Sequence, residues 1–474
     1  MHTEPQFPQR DSWIGILFFL HLATVWAFVP FFPGQLVDPD LLAYFIYFRE
    51  WMDGSGVLRG AEFFNYPKPL MIFLLGPLGN VLTATVLTSV VTGILGVVVY
   101  LIGKITFGRT AGVLWSLVLM GDPSRTFLAL KSSADLYLTA LLFLSIWFFL
   151  RHRYGFSALG ILLAALVKPV VLPCLLQFAW MPGGDKKRWW YFGLPLLALP
   201  ATLFINRLLL GGVFDSGKYP GEFAALRGLA GIMPWKLPHF VFWTLLVDFR
   251  FGITLLLAVV GMIWWISLDR QRLKSPLLLM PILFFGGYLG LACIATYIPF
   301  FRFFWPLEVW SLGFMVFTAV EVGRLAGRFN RKSFSLAATS LVIALVFFPS
   351  LKGFPNYIET FAIRMERDRS FVKTAVDTLA RDRGSKETIL APLVFQPQLM
   401  WFLPGGSASN PILASEIASP NTREQAHPTW ILDVPSSYLT GSARDFVRQL
   451  THSGRYAPIL IQDTGTIYRL KASF

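Results

Sequence analysis

A succession of apolar runs, many near the length a hydrocarbon layer demands, dominates this chain and limits what it can fold into. A spanning helix needs about 20 predominantly apolar residues. Candidate crossings fall at 13–33, 82–103, 109–121, 134–150, 156–167, 169–181, 189–210, 252–268, 276–298, 303–322 and 333–351. The runs at 109–121, 156–167 and 169–181 are short for a full crossing. Short helices are tolerated at membrane depth where their ends are buried in protein or line a wet cavity. The first run is too long for a signal-peptide core and lacks a small-residue cleavage site, so it reads as a retained helix.

Composition agrees. Of 474 residues 55% are hydrophobic and 14% charged, too few charges to clothe a soluble domain of this size. The formal net charge of +14 would suggest a nucleic-acid partner in a soluble protein. Here the cations sit mostly in short loops between apolar runs, so no nucleic acid is expected. Starting inside, alternate loops carry Lys104/Arg109, Arg151/Arg153, Lys186/Lys187/Arg188, Arg270/Arg272/Lys274 and Arg324/Arg328/Arg331/Lys332. All fall on one side, which the positive-inside rule makes the cytoplasm. The expectation is an all-α polytopic bundle of about eleven crossings over 1–352, in a cell (inner) membrane, with the N-terminus cytoplasmic. Residues 353–474 read as a small α/β domain on the outer side. Within it a charged helix is expected over 359–383 and another near 441–452. Strand-like runs lie at 388–394, 429–434, 457–462 and 466–470, with a hairpin turn at 463–465.

Cys174 and Cys293 both lie in apolar runs and suggest packing rather than a disulfide, and the six histidines show no metal-ligand spacing. Chemistry-bearing residues gather instead in the opposite-side segments. Asp38 and Asp40 flank Pro39 where the first run emerges. The aromatic-rich stretch 40–53 after them reads as a helix lying in the outer interface, with Asp40 also placed to cap it. Lys68 is bracketed by Pro67 and Pro69, and could meet lipid headgroups or a bound phosphate. Arg125 and Lys131 occupy a loop over 122–133, Asp135 starts the next apolar run, and Lys168-Pro169 sits between two short halves. An ionisable residue in such a setting faces a cavity or a partner. Arg302 is the single charge in the aromatic stretch 299–306, and snorkelling is its structural alternative. Carboxylates (Asp38, Asp40, Asp135) and cations (Lys68, Arg125, Lys131, Lys168, Arg302) on one side suit a reaction that removes a proton and releases a phosphate. No glycine-rich nucleotide loop is present.

With these residues in place, the chain resembles the GT-C class of integral membrane glycosyltransferases, nearest to bacterial lipid A aminoarabinose transferases and protein O-mannosyltransferases. Asp40-Leu-Leu-Ala-Tyr44 is similar to the class's D-E-A-x-Y segment, with Leu41 in place of its Glu. Pro67-Lys68-Pro69-Leu70 resembles K-P-P-L with Lys and Pro exchanged. Ser133-Ala-Asp135-Leu resembles the second acidic position, Leu166-Val-Lys168-Pro169 resembles L-T-K-G-P, and Arg302-Phe-Phe-Trp-Pro306-Leu307 resembles R-Y-x-x-P-x. The likeness covers roughly residues 13–310. It implies sugar transfer from a polyprenyl-phosphate donor to a lipid, glycan or protein acceptor on the outer side, inverting if Asp40 is the base. Asp38 or Asp135 would orient the acceptor or, with Asp40, bind a divalent metal (Mg or Mn). Lys68 and Arg302 would contact the phosphate, with Lys168, Arg125 and Lys131 as further candidates. The rivals are a transporter or flippase for a lipid-linked saccharide, and a polysaccharide ligase or polymerase. The first wants paired inverted halves, which the sequence lacks. The second usually puts its large outer loop between late helices.

Overall fold

The computed structural model describes residues 11–31, 39–54, 67–181, 188–211, 252–294, 304–329, 340, 370–382, 387–392, 395–403, 412–414, 428–434, 441–462 and 465–471. Helix α1 spans Ser12–Phe28, capped by Asp11, which accepts from the Trp13 amide. Asp11 also accepts from the Tyr100 hydroxyl (2.5 Å) and the Lys104 ammonium (2.6 Å) at the far end of α4, Val81–Thr106. The two helices therefore run antiparallel. Small residues let them close up: a Cβ on Gly96 would lie 2.3 Å from the His21 ring. Helix α5, Arg109–Met120, closes on α4 the same way, since a Cβ on Gly112 would lie 2.6 Å from the Tyr100 carbonyl oxygen.

Beyond α5 the chain makes an elbow. Helix α6, Pro123–Leu130, and helix α7, Ala134–Leu150, meet at 116°. Segment 122–133 is thus mostly helix rather than a plain loop, because Asp122 caps it and Pro123 fills the first position. Helix α8, Tyr154–Val167, returns along α7, followed by a 3-10 helix, Pro169–Trp180. Pro169 and Pro173 supply no amide hydrogens, so an α-helical ladder is broken where the sequence shows only an apolar run. The expected pair over 156–181 is therefore an α-helix and a 3-10 helix, each shorter than a full crossing. Helices α9 (Arg188–Leu196) and α10 (Ala198–Leu210) follow, then Gly252–Leu268, Pro276–Ile294 and Trp305–Phe329. Three described helices are long and apolar enough to cross a membrane: Val81–Thr106, Arg188–Leu210 and Trp305–Gly327. The bent α6–α7 pair passes the same test when taken together. The expected run 333–351 lies outside the described residues, apart from residue 340.

Helix α2, Pro39–Asp53, departs from expectation. Its residues Leu41–Tyr47 are all buried within the protein, where the sequence suggested a helix lying in the outer interface. Protein covers it from several sides. Helix α3 (Pro69–Leu75) and the turn after it pack close because Gly76 has no side chain: a Cβ there would lie 2.3 Å from Phe48 Cβ. Helix α10 packs on α2, and so does Gln396–Phe402 from the C-terminal part.

That C-terminal part holds a five-stranded sheet in the order β2-β1-β3-β5-β4, with β1 Ile389–Ala391, β2 Ile412–Ala414, β3 Trp430–Asp433, β4 Tyr456–Gln462 and β5 Gly465–Leu470. The four strand-like runs and the hairpin appear where the alternation put them, β4 pairing antiparallel with β5 down to Gln462 and Gly465. Successive side chains leave a strand on opposite faces. Trp430 and Leu432 meet Phe371 and Leu379 of the 370–382 helix, while Ile431 meets Phe446 and Val447 of helix Gly441–His452. Strand β2 and helix Gln396–Phe402 have no clear sequence signal. The first part of the expected 359–383 helix lies outside the described residues.

Candidate active site

One end of the bundle, away from Asp11, collects those charged residues singled out in the sequence that lie among the described residues. Asp40 stands in the first turn of α2, half-buried, where a carboxylate is favoured by the exposed backbone amides. One turn on, Tyr44 projects from the same face. Its hydroxyl accepts from the Lys68 ammonium at 3.1 Å. Lys68 is only 5% exposed, and Pro67 and Pro69 explain its posture: extended backbone at the N-cap, with Pro69 opening α3. Asp40, Tyr44 and Lys68 thus belong to one corner, although 28 positions separate the acid from the lysine.

A second pair lies beside it. Asp135, in the first turn of α7, forms a buried ion pair with Lys168, the residue that ends α8. Ser133 caps α7 by accepting from the Asp135 amide (3.3 Å) and donates to its carboxylate (3.4 Å). Both side chains are nearly inaccessible, so each needs the other: a lone charge at membrane depth is costly. Helix α3 packs against α8, which joins the two pairs into one layer.

The remaining candidates divide. Lys131 caps the C-terminal end of α6, half-buried, with its ammonium 4.9 Å above the Phe127 ring. Arg125 is fully buried and turned toward α1, where it donates to His21 Nδ1 (2.8 Å) and Thr24 Oγ1 (3.0 Å). His21 was not picked out in the sequence, because nothing local ties it to a residue 104 positions away. Asp38 and Arg302 lie outside the described residues. Trp305, close after Arg302, donates its indole N–H to Asp122 at 2.9 Å. That bond ties the start of Trp305–Phe329 to the start of α6. Among the described residues no three His, Cys, Asp or Glu side chains converge as metal ligands would. The arrangement offers a half-exposed carboxylate beside a buried ammonium, with a second acid held by its own cation.

No protein family model and no curated protein matches the sequence. Solved structures do. ArnT from Cupriavidus metallidurans, bound to undecaprenyl phosphate, superposes with a TM-score of 0.52 at 13% identity, covering 98% of this chain and 99% of that one. The Archaeoglobus fulgidus oligosaccharyltransferase tethered to an acceptor peptide gives 0.58 at 11% identity, over 98% and 74% of the two chains. AglB from the same organism, in complex with an inhibitory peptide and a dolichol-phosphate, gives 0.55 at 10% identity over 98% and 75%. This chain has the GT-C fold. It is a mostly helical, multi-pass membrane protein with a small sheet, as the resemblance of its local motifs implied. The GT-C likeness runs through the C-terminal part as well, which the sequence motifs did not reach.

Proposed function

We propose that this protein transfers a sugar from a polyprenyl-phosphate-linked donor to an acceptor hydroxyl or amine at the outer face of a cell membrane, with Asp40 as general base. The observation that carries the reading is the corner of Asp40, Tyr44 and Lys68: a carboxylate in reach of water and a buried ammonium, on a fold shared with an ArnT bound to undecaprenyl phosphate. In the proposed step Asp40 takes the acceptor proton as the acceptor heteroatom bonds to the anomeric carbon. The bond from that carbon to the phosphate oxygen breaks on the opposite side, so the configuration inverts. The polyprenyl phosphate leaves as an anion, and Lys68, with Arg302 and the half-buried Lys131, stabilises the charge. Asp135 orients the acceptor, Lys168 holds Asp135, and Asp38 lies near enough in sequence to assist Asp40.

The sidedness is supported by the basic loops of the sequence and by Lys104, which meets Asp11 at the end of α4 away from the acidic corner. A crossing count of about eleven and a cytoplasmic N-terminus follow on that reading. Asp40 and Asp38 are the residues a divalent cation would use.

The test is the Asp40→Asn variant. Followed as labelled sugar leaving the lipid-linked pool of host membranes, transfer should fall by about 10²–10⁴-fold while expression and undecaprenyl phosphate binding persist. Transfer at the native rate in that variant would remove Asp40 as base.

A further inference from the structure

Arg125 is a candidate for the phosphate by charge, yet its surroundings assign it other work. We infer that His21 and Arg125 are positioning residues: they staple the α6–α7 elbow to α1 and so set where Lys131 and Asp135 stand. The inference rests on the proposed use of Lys131 and Asp135, and it removes Arg125 from the phosphate ligands.

The hydrogen-bond directions leave one arrangement. A guanidinium has donors only, so His21 Nδ1 must accept from Arg125 Nη1 at 2.8 Å. The imidazole proton then sits on Nε2, which faces the Ser116 carbonyl and hydroxyl oxygens, both at 3.1 Å. Ser116 Oγ donates onward to the Gly96 carbonyl at 2.8 Å. A protonated His21 would set N–H against N–H, so the ring is neutral. Arg125 Nη2 is occupied as well, by Thr24 (3.0 Å) and Thr126 (3.1 Å). Its Nε is the one nitrogen without a protein partner, and it is sealed from the surface. Both His21 and Arg125 are fully buried, and Gly96 must stay bare to admit the ring.

What the staple holds is a bent and locally strained piece of chain. Ser132, between the two helices, has φ +49°, a left-handed conformation that a non-glycine residue adopts only when its surroundings hold it there. Its hydroxyl accepts from Thr88 Oγ1 on α4 at 3.0 Å, and the same Thr88 oxygen meets the Tyr137 hydroxyl at 2.8 Å. With Trp305 on Asp122, the elbow is pinned to α1, α4 and helix Trp305–Phe329. Lys131 ends α6 and Asp135 begins α7, so both ride on it.

The experiment uses the full-length protein and has two arms. In a background with Cys174 and Cys293 replaced by alanine, Lys131→Cys is labelled with a membrane-impermeant maleimide. Adding His21→Leu or Arg125→Gln should change the labelling rate by about fivefold or more. His21→Asn, which keeps an acceptor for Arg125, should return it to within about twofold. Thr24→Val, which removes one contact, gives a milder variant with a smaller shift should His21→Leu not fold. Unchanged rates in the folded variants overturn the staple. In the second arm, with Lys131 native, undecaprenyl phosphate is titrated as the probe. His21→Leu, Arg125→Gln and the double variant should weaken binding by one common factor, because both residues act through the same elbow. Loss of binding in Arg125→Gln but not in His21→Leu would make Arg125 a phosphate ligand and overturn the inference. A wild-type protein that does not bind the probe counts against the proposed transfer, and the labelling arm still decides the staple.

Discussion

The Lys68 ammonium donates to the Tyr44 hydroxyl across 3.1 Å, one helical turn beyond Asp40. On the proposed reading the same ammonium also meets the phosphate of the donor. Lys68→Gln is therefore expected to weaken undecaprenyl phosphate binding by roughly 10–100-fold, the worth of a hydrogen bond to a charged group. Tyr44→Phe leaves the charge and removes the anchor, so the loss should be nearer fivefold, or about 1 kcal/mol. Fluorescence titration of the purified variants measures both, and equal losses would mean the anchor matters as much as the charge.

The Asp135–Lys168 pair predicts a non-additive stability pattern. Lys168→Met alone strands a buried carboxylate and should cost about 3–5 kcal/mol. The double variant Asp135→Leu, Lys168→Met removes both charges and should recover most of that. Thermal unfolding of the four proteins closes the cycle. Transfer should stay lost in the double variant, which separates the role of Asp135 in the reaction from its role in the bundle.

Gly112 meets backbone, not flexible side chains: an added Cβ would lie 2.6 Å from the Tyr100 oxygen and 2.7 Å from the Lys104 amide nitrogen. Neither can swing aside, so Gly112→Ala should cost about 1–3 kcal/mol by forcing α4 and α5 apart. Gly15→Ala, where a Cβ meets nothing within 4 Å, is the matched control and should be neutral or slightly stabilising in the same unfolding assay.

At the end of β3, burial pushes the Asp433 carboxyl above the usual carboxylate range, with Arg448 and His452 offsetting part of the effect. A raised native value means that the folded protein holds the proton more tightly than the unfolded chain. Stability from this group is then present at acid pH and lost as pH rises through the native value. Asp433→Asn should accordingly unfold at a higher temperature than wild type at neutral pH, the two converging toward about pH 4. A variant less stable at neutral pH would contradict this.

Much of the bundle was legible because a membrane pass needs a run of apolar residues and little else: the run at 252–268 is the helix Gly252–Leu268. Proline-bracketed Lys68 and Lys168 were legible as special sites, since each combines a charge with a fixed backbone. The sequence was silent on what crosses between distant segments. Arg125 read as a cation in a loop, and only folding brings His21 to it. Asp122-Pro123 was a readable cap-and-start signal for α6, but eight residues of mixed polarity gave no period to extend it. Helix α2 was read as interfacial because its aromatics suit that boundary equally well as an interior. Composition could not say that helix Gln396–Phe402 would lie on it.

That last contact has a consequence for how the chain can be divided. Trp401 sets its ring 5.4 Å from the Phe45 ring, under the guanidinium of Arg49, whose carbon is 5.2 Å away. A protein cut back to its transmembrane part would leave Phe45 bare and the helix bearing Asp40 unsupported on that side. The C-terminal part is therefore not a detachable module for swapping between relatives. A chimera would have to carry α2 and its cover as one inherited piece.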